Sequence, residues 1–347
     1  MAEEPNSSKS SNSSKSSEQD PAKADTSPNA PPIHVAPSPH LSHPGFTTRR
    51  MMLDVLIALL PLLAVAVWLF RWYAVKQIAL CVVGCMAVEA LFTAMRRRPV
   101  SLGDLSAVVT GMILAFSLPA TAPWYVAIIG SFAAIGLGKI IFGGLGMNIF
   151  NPAMVGRAFV MIAFTGAMAA PAYVLAGSSA DAITQATPLT VLKMAKPFEL
   201  MPLLVGTTNG SLGETSALAC LAGGLCLCLR RTAAWEIPLG MLAAVAIIAG
   251  ILDLAAPSKM TISHHLLGGA LLFGAFFIAT DPVSSPLTAR GRLIFGAGVG
   301  VLVMLIRLLS AYPEGVMFSV LLMNGIAPLI NRWTVPKPVG GPVPTRK

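Results

Sequence analysis

Long apolar runs alternate with short polar connections from about residue 51 onward. A helix needs about 20 residues to cross roughly 30 Å of hydrocarbon, and runs close to that length recur along the chain. The pattern predicts ten spans, at 53–70, 77–95, 105–118, 124–141, 152–169, 212–229, 235–254, 265–280, 293–309 and 315–330. The predicted fold is an all-α polytopic membrane protein with about ten transmembrane helices.

Ten spans divide into two sets of five, and an odd number in each set turns the second set upside down, a common transporter plan. We expect membrane halves at 45–170 and 212–335. Residues 1–44 are rich in Ser, Pro and Lys, which predicts a disordered tail rather than a cleaved signal peptide. A second short tail is expected at 336–347.

Composition supports the membrane prediction, since 55% of the 347 residues are hydrophobic and 11% are charged, against about 25% charged in soluble domains. The net charge of +9 does not indicate nucleic-acid binding, because the basic residues cluster at the ends of apolar runs without interleaved aromatics. Most of them fall on one side of the threaded spans, which predicts the cytoplasmic side and places both termini there. The basic residues on that side are Arg49, Arg50, Arg96, Arg97, Arg98, Arg230, Arg231, Arg290, Arg292, Arg332 and Lys337. Arg71 and Lys76 fall on the other side, a minor exception.

The longest polar connection, 171–211, then lies outside the cytoplasm and contains DAITQATPLT, residues 181–190. Its Thr187-Pro188 pair also fits an N-cap followed by a helix-starting proline. Two similar segments, SLGDLSA from Ser101 and SLGETSA from Ser211, each place a carboxylate near a helix start. We interpret them as the same helix-start solution used twice rather than as a repeat boundary.

Two polar segments on the cytoplasmic side are candidate binding sites. GGLGMNIFNPAM offers glycines and the amides of Asn148 and Asn151, although Asn-Pro is also a good helix start. Its Asn-Pro-Ala tripeptide is the aquaporin signature, but aquaporins need two copies. In TDPVSSPLTARGR, Asp281 could cap, pair with Arg290, or bind a cation or a ring.

Acids inside apolar runs are functional candidates, because burying a charge in lipid is costly. Glu89 and Asp253 qualify, with structural pairing as the alternative for Glu89, while Asp54 lies near a span end. The five cysteines lie within apolar runs and are interpreted as small buried hydrophobic residues rather than metal ligands.

Several motifs together resemble a known family. They include HVAPSPHLSHPGFTTRRMMLDVLIALLP, SLGDLSAVVTGMILAFSLPATAPWY, GGLGMNIFNPAMVG, DAITQATPL, GSLGETSA, ATDPVSSP and LLMNGIAPLINRWTVPKP. The chain resembles the RnfD component of the Rnf complex, an ion-translocating ferredoxin:NAD oxidoreductase, and is similar to the B-type membrane component of the sodium-translocating NADH:quinone reductase. The shorter chain and the C-terminal segment favour the Rnf component.

The resemblance implies that a flavin transferase attaches FMN, through its phosphate, to Thr187. Asp181, Thr184 and Ala186 match the family motif around this threonine, Pro188 follows it, and Gln185 stands where many relatives have Gly. The chain would then be a covalent flavoprotein, and also a phosphoprotein through the ester.

The family also implies a second, noncovalent riboflavin inside the bundle toward the cytoplasm. Our candidates to contact it are Asp104, Ser106, Asn148, Asn151 and Asp281. A reduced flavin in lipid should be accompanied by a cation, and we expect Glu89 or Asp253 to help bind this cation.

By resemblance, the chain lies in the bacterial inner membrane and carries electrons between a flavin-bearing extracytoplasmic subunit and a cytoplasmic NAD-reacting subunit, beside iron–sulfur membrane subunits. Sodium or proton transport would be coupled to this traffic. Two other classes stay open from the residues alone. A solute channel or secondary transporter of urea-transporter-like fold would carry no redox cofactor, and a scaffold would bind only partner subunits.

Overall fold

The computed structural model describes residues 47–97, 102–169, 172–173, 183–184, 200–206, 210–214, 216–255, 261–310 and 315–336. Within these ranges the chain is almost entirely helical. The helices are α1 Thr48–Phe70, α2 Trp72–Met95, α3 Ser106–Ser117, α4 Trp124–Phe132, α5 Pro152–Ala163, α6 Thr165–Ala169, α7 Leu200–Val205, α8 Ala217–Leu229, α9 Glu236–Ala255, α10 Ile262–Leu267, α11 Leu271–Phe273, α12 Ala289–Leu309 and α13 Val316–Thr334.

Two helices continue into wider π-helical turns. α4 continues as Ala133–Ile140 and α11 as Gly274–Ile278, and a 3₁₀ turn, Leu102–Asp104, precedes α3. Two short strands, β1 Ala172–Tyr173 and β2 Ile183–Thr184, pair antiparallel.

Five of the described helices are long and apolar enough to cross a membrane: α1, α2, α9, α12 and α13. The remaining predicted spans contain shorter helices, and the eighth is divided between α10 and α11. Every span predicted from hydropathy therefore contains helix, although several of these helices are shorter than a full crossing. The protein is an all-α polytopic membrane protein.

Local sequence explains where several helices begin. The side chains of Thr47, Asn151, Ser216 and Thr288 accept hydrogen bonds from backbone N–H groups three residues later, so they cap α1, α5, α8 and α12. Pro152 occupies the first turn of α5, where its missing N–H costs nothing.

Contacts at the helix ends fix the direction of the chain. Arg96 donates to the carbonyl of Ile140, Arg230 pairs with Asp54, and Thr288 donates to Thr334. The start of α1 and the ends of α2, α4, α8 and α13 consequently share one end of the bundle, which we call the basic end.

The described basic residues predicted to lie on one side do lie at this basic end. Arg71 and Lys76 lie at the opposite end, as the threading predicts. Exposed tryptophans mark both ends, with Trp235 and Trp333 at the basic end and Trp68, Trp72 and Trp124 at the other. Such belts are typical of membrane interfaces.

The helices form two sets, and the first helix of one set runs in the opposite direction to the first helix of the other. In the first set α2 packs against α3 and α4, and in the second α9 packs against α10 and α12. α1 runs away from the basic end and α8 runs toward it, and these two helices pack against each other. The two halves are therefore inverted.

Small residues let the halves approach closely. A Cβ on Gly223 of α8 would lie 2.2 Å from the carbonyl oxygen of Ala58 in α1, so a side chain there has no space. A backbone hydrogen bond also joins the two halves: the Gly213 N–H donates to the Phe116 carbonyl at 2.7 Å.

The two similar SLG segments use their carboxylates differently. Asp104 accepts the Ser106 amide at 2.8 Å, which is the expected capping. Glu214 instead pairs with Arg157 at 3.4 Å, and Ser216 supplies the cap of α8. The first acid therefore satisfies a backbone N–H at the start of a helix, and the second forms an ion pair.

Candidate functional site

A pocket opens among helix ends at the basic end. Helices of both halves form it, because α1, α3, α4 and α5 contribute from the first half and α8 and α11 from the second. Most of its wall is apolar, including Met52, Val109, Ile113, Phe276 and Phe277. Few polar groups in an apolar wall are typical of a small-molecule site.

Four of the five residues predicted to contact a second flavin line this pocket: Ser106, Asn148, Asn151 and Asp281. The fifth, Asp104, lies one step behind the wall and accepts the Ser106 hydroxyl at 2.7 Å. These residues come from segments up to 177 positions apart (281 − 104 = 177), and the structure brings them to one place.

The two asparagines hold the turn between α4 and α5. Asn148 donates to the Phe150 carbonyl at 3.1 Å, and Asn151 donates to the Ile278 carbonyl at 3.2 Å while capping α5. The alternative interpretation of this segment, a tight turn followed by a helix start, is thus confirmed. The same segment also lines the pocket.

Asn324 of α13, which the sequence patterns did not single out, completes this network. With its amide nitrogen directed at the carbonyls of Ser284 and Val320, its side-chain oxygen accepts the backbone N–H of Asn151 at 3.0 Å. It is 1% exposed, so its hydrogen bonds are made away from water. An asparagine within an apolar span was the signal that could have indicated it.

Asp281 closes the turn that follows the π-helical end of α11. Its carboxylate accepts the Ser284 hydroxyl at 2.8 Å and the Val283 amide at 3.4 Å. These contacts give the acid a local structural role in the turn, and pairing with Arg290 or contact with a ligand stays a prediction. Its position on the pocket wall is compatible with a ligand contact as well.

A buried cation, Lys139, is the main site residue that the sequence patterns did not indicate. It lies in the π-helical end of α4, lines the pocket and is 2% exposed. Its ammonium is 2.8 Å from both carboxylate oxygens of Glu89 and 2.6 Å from the Ser106 hydroxyl. The cost of burying charge in lipid applies to bases as well as to acids, so a lysine within an apolar run was a usable signal.

Glu89 is therefore paired, as its structural alternative stated, and it lies behind Lys139 as seen from the pocket. Asp253, the other candidate for an ion path, lies partly exposed near the end of α9, at the opposite end of the bundle. The structure does not bring these two acids together. Their assignment to an ion path stays a prediction.

A second ion pair lies beside the pocket, between the halves. Asp54 of α1 contacts Arg230 and accepts the Thr232 hydroxyl at 2.9 Å. Thr232 and its neighbour Ala233 line the pocket. This pair therefore ties the start of α1 to the end of α8 at the pocket rim.

The attachment motif at 181–188 falls mostly outside the described residues. The structure describes the backbone of Thr184 as part of β2. The other motif residues lie outside the described ranges: Asp181, Gln185, Ala186, Thr187 and Pro188. The flanking helices α6 and α7 lie at the end opposite the pocket, since α7 contacts the start of α8.

The described part of the chain contains no cluster of three or more His, Cys, Asp or Glu side chains that could hold a metal. Cys81, Cys85 and Cys220 are buried, and Cys226 and Cys228 are half-buried. The predicted burial is thus found for three of the five cysteines.

The family model for NQR2, RnfD and RnfE matches residues 34–340. The chain belongs to the NQR2, RnfD, RnfE family. The match spans the pocket, both halves and the 181–188 motif, so the family resemblance inferred from separate motifs is confirmed over most of the chain.

Individual relatives in this family, each named as the D component of its complex, are similar over nearly their whole length. The chain is 42% identical over 307 residues to that of the Na⁺-translocating ferredoxin:NAD⁺ oxidoreductase complex of Acetobacterium woodii, covering 87% of this chain and 93% of the relative. It is 40% identical over 336 residues to that of the ion-translocating oxidoreductase complex of Halorhodospira halophila, covering 87% and 94%. It is 38% identical over 322 residues to that of the proton-translocating ferredoxin:NAD⁺ oxidoreductase complex of Clostridium ljungdahlii, covering 88% and 96%.

Proposed function

We propose that this protein is the membrane electron-carrier subunit of an ion-translocating ferredoxin:NAD oxidoreductase. It would carry one FMN bound covalently to Thr187 and one noncovalent riboflavin in the pocket at the basic end. The observation that supports the pocket most is that Ser106, Asn148, Asn151 and Asp281 line one cleft. The names of its relatives support the complex.

The pocket fits a flat, mostly apolar ring system with polar edges. Its wall is mostly apolar with a few polar side chains, which is typical of small-molecule sites. Phe276 and Phe277 offer aromatic surface for stacking, and the described wall carries two charged side chains, Lys139 and Asp281. Lys139 is already bonded to Glu89 and Ser106, which favours a ligand without a phosphate.

Flavins supply the electron transfer, and the protein supplies position, exclusion of water and electrostatics. The apolar side chains of α3 and α11 would cover the rings. The amides of Asn148 and Asn151 would fix the polar edge, while Asn324 holds Asn151 in place.

Attachment at Thr187 requires a group transfer by a separate transferase. The threonine hydroxyl is a weak nucleophile that must be presented on an accessible loop. The donor would be a flavin nucleotide whose FMN phosphate is held in an anhydride. The Oγ1–P bond forms, the anhydride bond breaks, and the hydroxyl proton leaves with the displaced phosphate group.

The two flavins would then lie toward opposite ends of the bundle, with the basic end facing the cytoplasm of a bacterial inner membrane. Partner subunits would include a flavin-bearing extracytoplasmic subunit, a cytoplasmic NAD-reacting subunit and iron–sulfur membrane subunits. Since two relatives are named for sodium and for protons, we propose a monovalent cation as the coupled ion, with Glu89 and Asp253 as candidates for its path.

The covalent site is tested by flavin fluorescence of the denatured protein in a gel, after expression with a flavin transferase. We expect fluorescence in the wild type and in Thr190→Ala, a threonine three positions further along, and none in Thr187→Ala. Fluorescence that survives Thr187→Ala, or absent fluorescence in the wild type, would contradict the proposal.

The pocket is tested by filling it. Ala233→Phe adds a ring to a residue of the pocket wall, whereas Ala234→Phe changes a neighbour that does not line it. We expect acid-extractable flavin to fall severalfold in Ala233→Phe and to stay at the wild-type level in Ala234→Phe, with covalent fluorescence kept in both. Equal extractable flavin in the two variants would refute a flavin in this pocket.

A further inference from the structure

The buried pair of Lys139 and Glu89 is oriented with respect to the pocket. Lys139 and Ser106 belong to the pocket wall, and Glu89 and Asp104 do not. The positive member of the pair is thus nearer to whatever occupies the pocket, and the negative member is screened behind it. A ligand in the pocket meets a cation first.

Hydrogen bonds hold the ammonium in that orientation. Its three donors are matched by two oxygens of Glu89 at 2.8 Å and the Ser106 oxygen at 2.6 Å. The Ser106 hydroxyl in turn donates a hydrogen bond to the Asp104 carboxylate at 2.7 Å. Because every donor is used and the side chains of Lys139 and Glu89 are 3% and 2% exposed, water does not screen this charge pair.

Buried ion pairs are expensive compared with apolar replacements, so their retention calls for a reason. The Lys139 pair lies against the pocket, and the described pocket wall carries one other charged side chain, Asp281. Asp281 already accepts the Ser284 hydroxyl and the Val283 amide. Within the described wall, Lys139 is therefore the side chain that presents a positive charge to a ligand.

The geometry points to Lys139 as the residue whose charge sets the reduction potential of the flavin in this pocket. Reduction adds negative charge to the ring system, and a nearby cation stabilises that charge, which raises the potential. Glu89 moderates the effect from behind. This inference rests on the proposed flavin in the pocket.

The two members of the pair should consequently shift the potential in opposite directions. Glu89→Gln removes the distant negative charge and leaves Lys139, so the potential rises. Lys139→Met together with Glu89→Gln removes both charges, and since the nearer positive charge dominates, the potential falls below that of the wild type. The double variant leaves no buried unpaired charge, which keeps it foldable.

The test is a reductive titration with dithionite, followed by flavin absorbance, on the full chain purified in detergent. All proteins carry Thr187→Ala, so that the pocket flavin alone is observed. Between Glu89→Gln and the double variant we expect at least a tenfold change in the affinity ratio for reduced over oxidised flavin, which is about 59 mV for a one-electron step.

The matched control is Arg157→Met with Glu214→Gln, which removes another buried pair that does not line the pocket. Its potential should equal that of the wild type. Bound flavin whose potential is the same in the wild type and both pocket variants, or shifts in one direction in both, would overturn the role of Lys139. Absence of extractable flavin from the parent protein would instead overturn the proposed pocket function, and this inference with it.

Discussion

Two ion pairs at the basic end differ in burial, and that difference decides what each can do. The side chains of Lys139 and Glu89 are 3% and 2% exposed, whereas Arg230 is 48% exposed beside an Asp54 that is 7% exposed. Water screens the second pair and not the first. The first can therefore act on a ligand in the pocket, and the second mainly fastens α1 to α8.

The comparison also separates two ways of joining helices. Lys139 and Glu89 connect α4 and α2 within one half, through charge in a dry environment. Asp54 and Arg230 connect the two halves beside a seam that close packing already holds, at Gly223 and Ala58. We expect that removal of charge lowers stability most at the Lys139–Glu89 pair, and that loss of close packing lowers stability most at the seam between the halves.

Lys139→Met alone should give the largest loss of stability, about 3–5 kcal/mol, because it leaves the Glu89 carboxylate buried without its cation. The measurement is thermal unfolding in detergent, followed by labelling of the buried thiols Cys81, Cys85 and Cys220. Adding Glu89→Gln should restore most of the loss. A double variant no more stable than the single one would show that the charge pair is not the cause.

Gly223→Ala should follow, with a loss of about 1–3 kcal/mol from overpacking. Its Cβ would lie 2.2 Å from the Ala58 carbonyl oxygen, a backbone atom that cannot turn aside. Gly250→Ala in α9 is the matched control, since its Cβ would meet Ile262 at an ordinary 3.6 Å. The same thiol-labelling midpoint compares them, and equal midpoints would argue against tight packing at the seam.

Arg230→Gln should have the smallest effect, about 1 kcal/mol or less, because the arginine is half-exposed and Asp54 keeps the Thr232 hydroxyl. The loss should shrink further at high salt, where exposed charges are screened. Unfolding midpoints in low and high salt measure this. A loss as large as that of Lys139→Met would contradict the distinction drawn between the two pairs.

Much of the fold could be predicted from sequence because membranes impose simple rules. Apolar length located every span, and the placement of Arg and Lys predicted which helix ends lie together. Boundaries were less accurate, since the helix of the second span, α2, begins at Trp72 rather than at residue 77. The helix of the sixth span, α8, begins at Ala217 rather than at residue 212. Caps and broken helices decide such ends, and hydropathy does not register them.

The candidate site was predictable only in part. Polar residues in Gly- and Pro-rich connections indicated Asn148, Asn151 and Asp281, because such residues are unusual beside apolar spans. Lys139 and Asn324 were missed, since each lies within an apolar run and gains its role through partners distant in sequence. Pairing across helices follows from tertiary packing, which one sequence does not display.

The most direct test of the central claim is mass spectrometry of the peptide that contains Thr187. The protein should be isolated from a host with a flavin transferase, with a host lacking it as the control. We predict that Thr187 carries one FMN, joined with loss of one water, in the first host and is unmodified in the second. An unmodified Thr187 in both hosts would contradict the account.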